Sequence, residues 1–248
     1  MNELGTLLCG GAHAPGMAKA ALEQLQRSVV SFSARAAKFF AEPVSDDTLA
    51  LGPFCARVVL ENACAALVGR IDSFRMLYLA EFQAQPEYKP GSRARSGFSW
   101  TGDVIPDERA AQALWSLDTE LPRISRALFS KHIDHIYWKP AVESMLDFVS
   151  NNSEPLLGDV RLIDADSYID SAKGRSQQLY SSLSKAVHWE FFTTALVFDE
   201  ATVKSLIRDT FILVGHLGLV SHFIPTAYAP LQPTDAVDCY ISIRKAIP

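Results

Sequence analysis

Apolar residues recur at steps of three and four along most of this chain, the period of helices with one buried face. From Met17 to Phe40 the stripe is Leu22, Leu25, Val29, Phe32, Ala36 and Phe39, with Arg27, Arg35 and Lys38 on the wet side. Pro53 suits the first turn of a second helix running from about Phe54 to Phe82. Its first half, FCARVVLENACAALVG, is apolar nearly all round and predicts a central position in a bundle; its second half, RIDSFRMLYLAEF, brings charge in. A third helix is expected over Asp107 to Lys131, with Trp115 in the core and a kink at Pro122, and a fourth over Ala141 to Val149. Asp164 to Phe198 predicts a long helix with Leu179, Leu183, Ala186, Val187, Phe191 and Thr194 inward and a capping box from Ser167 to Asp170. Asp199 caps a further helix, Ala201 to His222.

The segments between are read differently. Met1 to Pro15 is glycine-rich and expected to be a loop or arm, and Val160 to Ile163 a short strand or extended link. Gln83 to Pro106 carries Pro86, Pro90, Gly91, Gly97 and Gly102 and is expected to form a flexible lobe. After Pro230 and Pro233, CYISIRK alternates as a short strand or ordered tail would. The expected fold is all-α, mostly a helical bundle, with a short extended C-terminal tail and one domain spanning residues 1–248.

Composition narrows the function. Hydrophobic residues make up 48% and charged residues 21%, which fits a globular chain and not a disordered one. Net charge is −5, the wrong sign for strong non-specific nucleic-acid binding. Cys9, Cys55, Cys64 and Cys239 form no CxxC pair and read as reduced thiols of a cytoplasmic protein. The longest apolar candidate, Thr210 to Pro225, carries His216, Ser221 and His222, so no membrane span is expected.

Candidate chemistry is sparse. Gln178 to Phe192 places Tyr180, Ser184 and His188 on one helix face, with no carboxylate on that face to orient the imidazole. No Gly-x-Ser-x-Gly elbow is present. His132 and His135 have metal-ligand spacing but lack a third nearby donor, so neither metal nor cofactor is expected. Asp72 and Arg75, three apart, are expected to pair, and Arg70, Arg75 and Glu81 to line a cleft or tie helices together. In the lobe, Arg93 and Arg95 precede Phe98 and Trp100, an arrangement that can stack on and neutralise single-stranded nucleic acid, or fold back on the domain.

The helical layout and the phrase LYSSLSKAVHWE resemble HEPN-type helical domains of bacterial defence and toxin systems. In that family an arginine and a histidine, separated by four to six residues, cleave RNA without metal, usually across a dimer. The resemblance implies an arginine that holds the phosphate and a histidine that handles the proton. Position 182, six before His188, is serine; Arg126 to His132 has the family's gap but Ala127 in its polar place; Arg208 to His216 has Asp209 there but a gap of seven. The implied catalytic residues are therefore His188, Arg208, His132 and Arg126, with ligand or phosphate contacts at Arg70, Arg75, Arg93, Arg95 and Trp100.

Three functions follow as expectations. The first is a helical component of a larger assembly, in bacterial anti-phage defence, non-catalytic or with a degenerate motif. The second is a metal-independent ribonuclease. The third is an apolar small-molecule binder lined by Ala56 to Val68, Tyr137, Trp138, Trp189 and Phe192. The partners expected are a protein or a second copy of the chain, or RNA or single-stranded nucleic acid.

Overall fold

The computed structural model describes residues 1–11, 16, 18–89, 98–106, 114–115, 124–188 and 199–247. Over these it is all-α, with no strand among the described residues. The helices are α1 (Asn2–Cys9), α2 (Lys19–Ala41), α3 (Asp46–Ile71), α4 (Ser73–Gln83), a short α5 (Lys131–Ile133), α6 (Lys139–Val149), α7 (Tyr168–His188), α8 (Glu200–Ser221) and α9 (Pro233–Ala246).

The helix that reads as apolar all round is the centre. α3 packs chiefly on α2, α8 and α7, and Ala56, Val59, Leu60, Ala63, Cys64, Ala66 and Leu67 are sealed from solvent. By length and composition α3 is long and apolar enough to cross a membrane, but 67% of that stretch is buried inside the fold. It starts earlier than the proline suggests. Ser45 Oγ accepts from Thr48 N at 3.3 Å and Thr48 Oγ1 accepts from Ser45 N at 3.3 Å, a reciprocal cap that places Pro53 inside the helix. It also stops earlier, at Asp72, where α4 begins. In α2, Leu22, Val29 and Ala36 are buried and Leu25, Phe32 and Phe39 pack against the core, as the periodicity predicts.

Both chain ends are helical where extended segments were expected. α1 buries Leu4, Leu7, Leu8 and Cys9 against α2, α8 and α9. Gly10 ends it with φ 89°, and a Cβ there would lie 2.5 Å from the Ala229 carbonyl oxygen, so this position needs glycine. The segment around CYISIRK is part of α9, with Pro233 in its first turn and Ala236, Val237, Tyr240 and Ile243 buried at helical steps. The expected extended tail is thus replaced by a packed helix. Its alternation of apolar and polar residues is short enough to satisfy either period.

Other expectations change locally. Residues 124–130 are turns and extended chain, not the end of a helix; Leu128 N and Phe129 N donate to the carbonyls of Asp103 and Val104 at 2.8 and 3.1 Å. That pairing anchors 98–106, whose Val104 and Ile105 are buried, so this part of the expected lobe belongs to the core. Trp115 is 57% exposed instead of core. Residues 160–162 form a 3-10 turn, and Ser167 donates to Asp164 at 2.6 Å in place of a capping box with Asp170. A wide π-helical turn at Asp134–Trp138 joins α5 to α6 just before Pro140, where the regular hydrogen-bond ladder is already interrupted. Asp199 does cap α8, accepting from Thr202 N at 2.8 Å.

Candidate functional site

Arg70, expected at a ligand cleft, lies at the end of α3 with 1% of its surface exposed. Among the described residues no carboxylate pairs with it. Its Nε donates to the Tyr228 carbonyl at 2.9 Å, and its Nη1 to Ser221 Oγ at 2.6 Å and to the Leu7 carbonyl at 3.5 Å. Nη2 donates to His222 Nδ1 at 3.2 Å. His222 therefore uses Nδ1 as an acceptor, shared with Leu231 N at 2.9 Å, and carries its proton on Nε2, which donates to the Leu7 carbonyl at 2.8 Å. Burial, with the neighbouring guanidinium, drives the His222 pKa down to about 3. Burial lowers Arg70 to about 10. This knot ties α1, α3, α8 and the chain after α8 together and leaves Arg70 no free face for a phosphate.

Arg75 does not pair with Asp72. It reaches Asp103 at 2.5 Å, and Asp72 instead meets Arg126 at 2.8 Å. Glu81 is exposed on α4, so Arg70, Arg75 and Glu81 do not converge. Trp100 stacks on Tyr180 at 4.5 Å and 11°, and Arg57 donates to the Tyr180 hydroxyl at 3.1 Å while lying over its ring at 4.9 Å. Trp100 is thus folded back on α7. Arg93 and Arg95, and Trp189 to Phe192, lie outside the described residues.

The histidines have three separate fates. His188 is exposed at the end of α7. Arg57 meets the same helix at Tyr180, which lies two turns, about 12 Å, before His188. Arg208 is exposed next to Asp209, about 12 Å along α8 from His216, so that pair is not a unit. Arg126 and His132 do come together. Both line a cleft of about 170 Å³ with Asp72, Ile133, Ile136 and Tyr137. His132 Nε2 donates to the Leu114 carbonyl at 3.0 Å, and Trp115 sits edge-on to His132 and His135 at 5.6 and 5.3 Å. Among the described residues no three His, Cys, Asp or Glu side chains stand close enough to share a metal ion.

A network that the sequence pattern did not expose surrounds Asp159. His216 Nε2 donates to its Oδ2 at 3.2 Å, and the Tyr240 hydroxyl to both carboxylate oxygens at 3.2 and 3.1 Å. Arg244 Nη1 donates to the same carboxylate and to Tyr240 Oη at 3.3 Å. Burial pushes the Asp159 pKa up, but the bond and charge of His216, with Arg244 and Tyr240, outweigh it and hold the carboxyl well below its usual range. The network borders an open cleft of about 520 Å³ between the 160–167 segment, α7, α8 and α9. Its sequence signal was a Tyr–Arg pair four apart, Tyr240 and Arg244, on what reads as a strand.

The third expected site, an apolar cavity along Ala56 to Val68, is largely core instead. Trp138 is fully buried and donates Nε1 to the Leu128 carbonyl at 2.9 Å. Of that set, Val68 and Tyr137 line the small cleft.

On α4 the exposed face is aromatic. Phe74, Tyr78 and Phe82 follow at four-residue steps with ring centroids 6.5 and 6.4 Å apart, and Tyr88 closes the row edge-on to Phe82 at 5.9 Å. Phe74 is 70% and Tyr78 49% exposed. Comparison with known proteins adds no relative: no family model matches the chain, and no curated protein or solved structure does either.

Proposed function

We propose that the protein is a non-catalytic helical component of a larger assembly and that α4 is the face through which it assembles. The observation that carries this reading is the aromatic row Phe74, Tyr78, Phe82 and Tyr88, in which the two largest exposures fall on adjacent turns. Aromatic side chains left in water on one helix face are costly, while at the core of an interface they carry much of the binding energy. Burying each exposed ring contributes about 1.5–3 kcal/mol. A second copy of the chain is the simplest partner, since α4 faces can meet about a two-fold axis. The resemblance of LYSSLSKAVHWE to domains that act as dimers in bacterial defence supports the same reading. Sedimentation velocity of the wild type against a Phe74→Ser, Tyr78→Ser variant tests it: the variant loses the assembly and keeps its melting temperature.

A second reading, a metal-independent ribonuclease, is favoured by one observation: Arg126 and His132 line the same cleft. There Arg126 would exchange Asp72 for a phosphate, and His132, with Nε2 committed to the Leu114 carbonyl, would present Nδ1 as the base.

A further inference from the structure

The cleft of about 520 Å³ beside Asp159 is separate from the α4 face and has no part in assembly through it. We infer that it binds a small organic anion, an acidic head group on a short apolar body. Its volume is that of a small-molecule site. The sign of the ligand follows from which charges are already matched. Asp159 is saturated by His216, Tyr240 and Arg244. Asp164 accepts from Ser167 N at 3.1 Å and Ser167 Oγ at 2.6 Å, both through Oδ2, which turns that oxygen to the start of α7. Arg175 is the charge left over: it lines the cleft, is exposed, and makes no ion pair or hydrogen bond to a described residue. Arg244, which lines the cleft from α9, spends only Nη1 on Asp159 and Tyr240.

Neutral donors and an apolar wall complete the site. Ser171 is exposed on the rim one turn before Arg175. The Tyr168 hydroxyl is buried in the wall with no hydrogen-bond partner among the described residues, within the field of Arg175. Leu162, 85% exposed, stands with Ile163, Ile212 and Ala172 along the same opening. A head group on Arg175 and Ser171 would lay its body across these side chains.

The probe is octanoate, titrated calorimetrically into the full chain below its aggregation range. Saturable one-to-one binding is expected. Arg175→Gln should weaken it about tenfold or more through loss of a charge-assisted bond, and Leu162→Ser several-fold. Both side chains are exposed, so neither change should move the melting temperature. Octyl phosphate distinguishes a phosphate from a carboxylate head; Arg175-dependent binding of either supports the site. Absence of binding by both, equal binding of octylamine, or affinity unchanged in both variants would overturn it.

Discussion

Arg70→Met asks whether a buried cation without a carboxylate partner holds the helices together. Met fills much of the space and removes the charge. The change deletes three bonds of 2.9, 2.6 and 3.2 Å, to Tyr228 O, Ser221 Oγ and His222 Nδ1, and a fourth at the limit of 3.5 Å. Bonds from a charged donor contribute about 1.5–3 kcal/mol each, or roughly 6 kcal/mol for the three good ones. Against this, burying a guanidinium costs several kcal/mol that Met does not incur. Some acceptors stay satisfied: Leu7 O keeps His222 Nε2 and His222 Nδ1 keeps Leu231 N. The Tyr228 carbonyl loses its Arg70 donor. The net expectation is a loss of about 3 kcal/mol, or a drop in Tm of about 6–12 °C for a chain of this size. Differential scanning calorimetry and urea melts read it, with Arg57→Met as a partly exposed control. A variant that melts at or above the wild-type temperature would refute the reasoning, because desolvation would then outweigh the bonds.

Two further outcomes follow from the histidines. His222 is held neutral with its pKa near 3, so between that value and the usual 6.5 the unfolded chain binds the extra proton. Stability should therefore be lost as pH falls from about 6.5 towards 3, at up to about 1.4 kcal/mol per pH unit, and His222→Gln should flatten that limb in pH-dependent urea melts. With single-stranded RNA and no divalent metal, the proposed non-catalytic role predicts no cleavage above background; cleavage lost in His132→Ala but kept in His188→Ala would instead establish the ribonuclease at the Arg126 cleft.

The helical class was legible because Leu22, Val29, Ala36 and the run Ala56 to Leu67 repeat at helical steps and are buried as that repeat requires. Helix ends were less legible. Pro53 reads as a start, yet Ser45 and Thr48 supply a reciprocal cap eight residues earlier, and a proline inside a helix is tolerated where tertiary burial compensates. α1 and α9 were misread because short segments carry too few turns to define a period, and their contacts with α8 and with each other decide the matter. The site residues were harder still. Arg70 looked like a ligand contact, but its partners are backbone carbonyls and side chains 63 to 158 residues away, which no local pattern encodes. The Asp159 network likewise joins a 3-10 turn, α8 and α9. Arg126 and His132, six apart in sequence, do line one cleft, brought there by a turn after 124 and not by the helix expected over them.

Sedimentation velocity on the wild type and on the Phe74→Ser, Tyr78→Ser variant bears most directly on assembly through α4. The account predicts that the wild type sediments as at least twice the 27.3 kDa chain at micromolar concentration, and the variant as a single chain with unchanged Tm. A wild type that stays at 27.3 kDa, or a variant that assembles equally well, would contradict it.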